Sequence, residues 1–524
     1  MLFTSYLFIG FLLILFAAYY LLPKKWQAPL LLAANAVFYA CAGWQGCIFI
    51  VFTILSVWGG GLLLQKSHDS RKAYLAGSEL SADQKKAYKA KEKKHRKLLL
   101  TAVLLLNLGV LAAAKYLAFL FEGLNGVFSL SLSLPSGWIL PMGISFYTLQ
   151  AIGYLVDVYR ESVKAEKSLW RFALFISFFP QLVQGPISRY GDLAETLFTP
   201  HPFDRKNVRR GLERILFGYF KKMVVADRLA VAVIAVSSSP ETYRGGYALL
   251  LLFLYTVQLY ADFTGGIDVV IGIGEVLGIR VKENFDRPFL AVSLKDYWRR
   301  WHITMCSWFR DYVFYPVSTA KWMRAFTKKT RKLFGDKAGR RIPLYLSSFL
   351  VWGATGVWHG ANLNFIVWGL CNWAVLMISE ELEPLYEKFH NRFPKTRGGA
   401  WRVFSIARTF LLVAVMNLFD CFSTLKDTFR SFFSIFTPSA WAGFGSKGVL
   451  SLGLDVKDYI VAGIGAVLMF AVSFSGRKIP FRDRFEKIPF AARCALVYAL
   501  FVLVIVFGYY GIGYDAGQFI YNRF

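Results

Sequence analysis

Acidic residues are scarce in this chain. Only 33 Asp and Glu stand against 61 Lys and Arg, a formal charge of +28. Histidine and cysteine number six each in 524 residues. The cysteines, at 41, 47, 306, 371, 421 and 494, have neither CxxC spacing nor a metal-ligand pattern, which argues against a zinc site or a disulfide framework. Five of them lie in or beside apolar runs and read as small apolar residues. The roughly ten-residue alternation of a membrane β-barrel is missing. No basic n-region or small-residue cleavage site accompanies the first apolar segment, LFTSYLFIGFLLILFAAYYLL, so it reads as a retained helix. No internal repeat is visible, which weakens the case for an inverted-repeat transporter. The basic blocks carry no interleaved aromatic platform, so nucleic acid is not an expected partner.

Apolar and aromatic residues dominate instead. The chain is 56% hydrophobic, with 49 Phe, 27 Tyr and 15 Trp, a composition foreign to soluble domains of this size. Runs long enough to cross a bilayer, about 20 residues, include Leu98–Phe121, Leu250–Ile279 and Ala491–Tyr510. Backbone inside lipid must satisfy its own hydrogen bonds, so the fold class is an all-α polytopic membrane protein. Residues 66–97 hold eleven Lys and Arg against four acids, and 321–341 hold nine against one. Both blocks are expected as cytoplasmic loops facing anionic lipid. On that count residues 1–524 form a single membrane domain with no soluble domain appended. It makes eleven or twelve crossings, and both termini lie outside.

Two stretches disturb the count. FALFISFFPQLVQGPISRY contains Pro180 and Pro186 between basic flanks. KDYWRRWHITMCSWFRDYVFYP, residues 295–316, starts and ends on the cytoplasmic side. Both read as re-entrant or half-buried, a backbone tolerated at membrane depth only when buried in protein or lining a cavity.

Read as one helix, the second stretch aligns Trp298, Trp301, Met305, Trp308 and Tyr312 in a stripe. Arg299, Arg300 and Arg310 fall on other faces, with Asp296 one turn from the first two. An interfacial anchor explains the stripe but not His302. The other polar-loop histidines, His68, His95, His201 and His390, read as solvated. His302 and His359 lie in membrane-associated sequence, each preceded by Trp, where ionisable groups are costly and mark functional paths. A satisfied structural histidine and a proton relay are the competing readings.

KDYWRRWHITMCSWFRDYVFYP and GVWHGANLNFIVWG closely resemble the two signature regions of membrane-bound O-acyltransferases, and FFPQLVQGPISRY resembles a third. The likeness runs over essentially the whole chain. It is to the bacterial polysaccharide branch of the alginate O-acetylation membrane subunit, with the teichoic acid D-alanyl transfer protein a near cousin. The resemblance implies a central tunnel, with the family's two histidines at His302 and His359. It also implies an acyl thioester substrate, acetyl-CoA or an acyl carrier protein, arriving from the cytoplasm, with no bound cofactor. An extracytoplasmic polysaccharide transferase is the expected partner.

Acyl transfer to a hydroxyl needs a base, and imidazole suits neutral pH. His359 is assigned that role and His302 the orienting or carbonyl-polarising one, with the reverse order left open. Asn362 and Asn364 are candidate oxyanion donors. Trp298, Trp301 and Trp358 are expected on the tunnel wall, and Arg299 and Arg300 at headgroups or an anionic donor's phosphates. Cys306 is the alternative nucleophile, although an isolated buried thiol is usually inert.

The sequence ends DAGQFIYNRF, which resembles the FIYFxF tail of some relatives and of small D-alanylation partners, where the tyrosine is implicated as an acyl carrier. Phe519, Ile520, Tyr521 and Phe524 match, and Asn522 departs. A phenol leaves more readily than a sugar alcohol, so Tyr521 is the expected carrier and an interfacial anchor the alternative. Two other function classes compete. A proton-coupled transporter or flippase would use Asp157, Asp262 and Asp268. A scaffold would leave both histidines without a role. The tail and full-length architecture favour acetyl over D-alanyl.

Overall fold

Each long apolar run forms a helix, and no strand occurs among the described residues. The computed structural model describes residues 3–135, 138–476 and 480–510, with backbone alone at 446–447. The aromatic tail with Tyr521 lies outside the described residues. The chain divides into two compact units: Met1–Gly211 with Ile273–Lys282, and Leu212–Gly272 with Glu283–Phe524.

In the first unit, α1 (Tyr6–Leu21), α2 (Gln27–Ala40), α3 (Trp44–Gly77), α4 (Ala82–Phe128) and α5 (Ile144–Tyr159) precede two short helices, α6 (Leu169–Ser177) and α7 (Phe179–Gln184). The proline-containing segment expected to be half-buried is α6 and α7, and residues 174–182 are buried throughout. Its break at Phe178 has a local cause. The buried Asn35 side chain donates to Ser177 Oγ at 3.1 Å and accepts the Phe179 N–H at 3.0 Å. Phe8, Phe38 and Phe179 close the core around it, with Phe38 and Phe179 centroids 5.3 Å apart.

The basic stretch 66–97 is helical rather than an irregular loop. α3 carries it to Gly77, and α4 restarts behind a capping box in which Ser81 and Gln84 satisfy each other's backbone N–H. Lysine-rich sequence propagates helix readily once capped. His68, expected in solvent, is 3% exposed, with Nδ1 3.0 Å from Glu161 Oε1 and 2.5 Å from Arg96 Nη1. Helical periodicity turns it inward. His95 keeps the expected exposure.

The second unit contains α8 (Gly246–Leu277, through Gly272), α9 (Leu294–Trp298), α10 (Ile303–Phe309), α11 (Lys321–His359), α12 (Leu363–Glu381), α13 (Gly399–Cys421), α14 (Val456–Ser475) and α15 (Phe490–Phe507). The basic stretch 321–341 is again helical, turned at Gly335 with φ 75°, where Thr330 Oγ1 donates to Gly339 O at 2.7 Å. α11 and α12 cross closely. A Cβ on Gly356 would lie 2.6 Å from Phe365 O, and one on Gly369 2.5 Å from Trp352 O, so both positions require the missing side chain.

α3, α4, α8, α12, α13, α14 and α15 are long and apolar enough to cross a membrane. The remaining expected crossings fall on helices of 14 to 16 residues, α1, α2 and α5, or on the charged α11. A 16-residue helix rises about 24 Å, short of the hydrocarbon core. Large apolar side chains crowd the exterior, including Ile14 and Val506 at 73% and 62% exposure, as a lipid-facing surface requires. The chain is an all-α, multi-pass membrane protein.

Candidate active site

The WRRWHI sequence does not continue as one helix. α9 ends at Trp298, and α10 restarts at Ile303 after a left-handed turn at His302, φ 47° and ψ 51°. That conformation costs a non-glycine residue about 1–3 kcal/mol and persists only where its surroundings over-determine it. Asn284, fully buried, supplies the determinants. Its carbonyl accepts the Ile303 N–H at 3.0 Å. Its side-chain Oδ1 accepts the Thr304 N–H at 3.0 Å and the Thr304 hydroxyl at 2.9 Å, and lies 3.3 Å from His302 Nδ1. First-turn N–H groups that an unbroken helix would satisfy internally are taken by Asn284. The expected aromatic stripe is therefore broken, with Trp298 on α9, Trp301 in the turn, Met305 and Trp308 on α10, and Tyr312 past its end.

The turn delivers His302 to a small cavity of about 30 Å³, room for a water or two. Leu259 and Phe263 of α8, Trp298, Trp301, His302 and Met305, His359 of α11, Trp368 of α12, and Asn417 and Asp420 of α13 are in its wall. His359 arrives by a different route, as the last residue of α11 at the α11–α12 crossing. Its ring stands 4.9 Å from Trp368 and 6.1 Å from Phe365. Trp358 packs against both imidazoles, 6.3 Å from His302 and 5.0 Å from His359. Phe263 meets His302 edge-on at 4.9 Å and 80°. His302 lies outside the spanning helices and is 1% exposed. Burial pushes its imidazole well below the ordinary value, and the His359 imidazole acts in the same direction.

Trp298 and Trp301 join the histidines at the cavity. Trp298 Nε1 donates to Asn372 Oδ1 at 3.0 Å, and Trp301 stacks on Tyr297 at 5.6 Å. The other four candidates are elsewhere. Arg299 is exposed, while Arg300 pairs with Asp296 at 2.9 Å. Asn362 caps α12 by accepting the Asn364 N–H at 3.0 Å and donates to Ser423 O at 2.7 Å. Asn364 donates to Phe422 O at 2.6 Å and Thr428 Oγ1 at 3.2 Å. The amide donors of both asparagines hold the α11–α12 turn rather than facing an oxyanion. Cys306 Sγ donates to Trp301 O at 3.5 Å, and burial pushes its thiol up to about 12. A thiol that reluctant to ionise makes no nucleophile at neutral pH.

Asn284, Asn417 and Asp420 carry no signature that sequence reasoning could seize. Asp420 is hydrogen-bonded by Tyr255, and Asn417 Nδ2 donates to Thr256 Oγ1 at 3.3 Å. Two of the three acids proposed for a proton relay, Asp262 and Asp268, are in ion pairs. Asp262 is bound by Lys222, which also meets Asp227 at 2.7 Å. Asp268 takes Arg214 at 2.8 Å and Lys221 at 2.5 Å. No group of three or more metal-ligating side chains occurs among the described residues.

The pattern of the membrane-bound O-acyltransferase family matches residues 160–328, which include the His302 turn. The probable alginate O-acetylase of Pseudomonas syringae pv. tomato is 30% identical over 469 residues, covering 88% of this chain and 80% of that protein. The peptidoglycan O-acetyltransferase of Helicobacter pylori is 28% identical over 59% of this chain and 60% of its own. The teichoic acid D-alanyltransferase of Bacillus subtilis is 26% identical over 55% of this chain and 68% of its own. The chain belongs to the membrane-bound O-acyltransferase family and is an acyltransferase.

Proposed function

We propose that the protein moves an acyl group, acetyl in the first instance, from a cytoplasmic thioester across the membrane for O-acylation of an extracytoplasmic polysaccharide. The donor is acetyl-CoA or an acyl carrier protein, and the final transfer falls to a separate external partner. The observation that carries this reading is the meeting of His302 and His359 at one buried cavity, from two segments joined only by the helices between them. The names of the relatives support the acetyl group and the polysaccharide acceptor.

The chemistry asks little else of the chain. A hydroxyl oxygen attacks the thioester carbonyl, a C–O bond forms and the C–S bond breaks. An imidazole lone pair takes the hydroxyl proton and returns it to the departing thiolate. A dry, aromatic-walled site strengthens each of these electrostatic contacts. Tyr521 acts as the intermediate hydroxyl, on the resemblance of FIYNRF to the acyl-carrying tails, with both termini on the external face. Arg299 and Arg300 attract the donor's phosphates or lipid headgroups at the cytoplasmic entrance to the tunnel.

A second reading has its own observation. Asp420 shares the cavity, and a carboxylate there would pair with the ammonium of a D-alanyl group. Inverted membrane vesicles given acetyl-labelled acetyl-CoA test the first reading. Alkali-labile label should enter the envelope fraction, and Tyr521→Phe should block its transfer to polymer at unchanged protein level. Label excluded from every ester, together with incorporation of D-alanine instead, would give the second reading precedence.

A further inference from the structure

We propose that Asn284 is the positioning residue that holds His302 in its Nδ1–H tautomer, so that Nε2 is the proton-accepting nitrogen of that ring. The inference rests on the acyltransferase reading and adds a residue and a tautomer to it.

The argument begins with the amide's orientation. Oxygen and nitrogen of an asparagine look alike, so a network must assign them. Here Thr304 donates a backbone N–H at 3.0 Å and its hydroxyl sits at 2.9 Å, on the same atom. A backbone N–H cannot donate to an NH₂ group, so that atom is Oδ1. His302 Nδ1 lies 3.3 Å from the same oxygen. A lone pair there would face a lone pair, whereas an N–H completes the cradle. A neutral imidazole has one proton, and with Nδ1 holding it, Nε2 carries the lone pair.

The backbone makes the arrangement rigid. The left-handed φ of His302 is maintained by the two N–H bonds that Asn284 accepts from Ile303 and Thr304. Asn284 is 0% exposed and His302 1%, so bulk solvent does not compete for the Asn284–His302 contact. The titratable neighbours that share the cavity are His359, Asp420 and Tyr297, while α8 presents Phe263 and Leu259 and α10 presents Met305. A hydroxyl proton leaving the nucleophile thus finds an acceptor on His302, not a competing donor.

Two measurements test this. The first is the pH dependence of free-thiol release from acetyl-CoA by inverted vesicles, with His359→Ala vesicles as blank. Asn284→Asp keeps the acceptor and adds a negative charge beside Nδ1, which favours the imidazolium. Its acidic limb should move up by about one pH unit or more. Asn284→Ala removes the acceptor and should lower kcat about 10- to 100-fold at unchanged KM for acetyl-CoA. An unmoved limb in Asn284→Asp, or full kcat in Asn284→Ala, overturns the proposal.

The second measurement needs no variant of Asn284. Nitrogen NMR of histidine-labelled wild-type protein in nanodiscs, with His302 assigned by its loss in His302→Gln, should show a protonated Nδ1. A protonated Nε2 with bare Nδ1 overturns the proposal even if the variants fail to fold. Vesicles in which wild type and His359→Ala release thiol equally would instead remove acetyl-CoA as the donor at this site and leave the tautomer to the NMR.

Discussion

Trp358 presents its ring to His302 at 6.3 Å and 63°, joining the last turn of α11 to the left-handed turn that starts α10. His302 is thereby packed against the tryptophan that precedes the other histidine, and that same Trp358 lies 5.0 Å from its own neighbour His359. Trp301, His302 and His359 line one cavity and Trp358 packs on both imidazoles, so the two Trp-His dipeptides meet despite lying on separate segments.

Cys306 has no part in the chemistry on this account. Its thiol is raised to about 12 by burial and donates to a backbone carbonyl. Cys306→Ser should leave ester formation within about twofold of wild type, since the shape is retained and the nucleophile role is absent. A loss comparable with that of His302→Ala would restore the Cys/His dyad.

Lys222 is the cation of a buried cluster with Asp227 and Asp262. Replacing it with Met leaves two carboxylates in a dry site without their cation, which costs about 3–5 kcal/mol. The detergent-solubilised Lys222→Met protein should therefore unfold well below wild type. Adding Asp262→Asn should recover part of the loss. An unchanged unfolding midpoint would mean that the cluster contributes nothing, and would revive Asp262 as a relay acid.

Glu161 gives the first unit an acid-side dependence. The Lys72 and Arg71 hydrogen bonds, with His68 alongside, lower its carboxyl from 4.5 to about 2. A depressed carboxylate contributes stability that is present above about pH 4.5 and is lost as pH falls through about 2. Wild type should therefore lose more thermal stability than Glu161→Gln between pH 5 and pH 3. Identical losses would remove Glu161 from the account.

Much of this was legible in the sequence, for identifiable reasons. Composition dictates membrane helices, and the rarity of histidine makes His302 and His359 conspicuous. The break at His302 was not legible, because a left-handed histidine follows from Asn284, a residue eighteen positions earlier. Asn362 and Asn364 looked like oxyanion donors because proximity to His359 says nothing of direction. Their amides point to Ser423, Phe422 and Thr428. Asp420 escaped notice because only the packing of α13 brings it to the cavity. The burial of His68 was lost for a related reason, since a lysine-rich helix still has an inner face.

The central claim is that the cavity shared by His302 and His359 transfers acyl groups. It is tested most directly by mild-alkali release of ester-linked acyl groups from envelopes of cells making wild type or His359→Ala at matched levels, with the products weighed by mass spectrometry. The account predicts that one acyl species, acetate, falls about 100-fold or more in the variant. An unchanged profile would contradict it and return the transporter reading to the front.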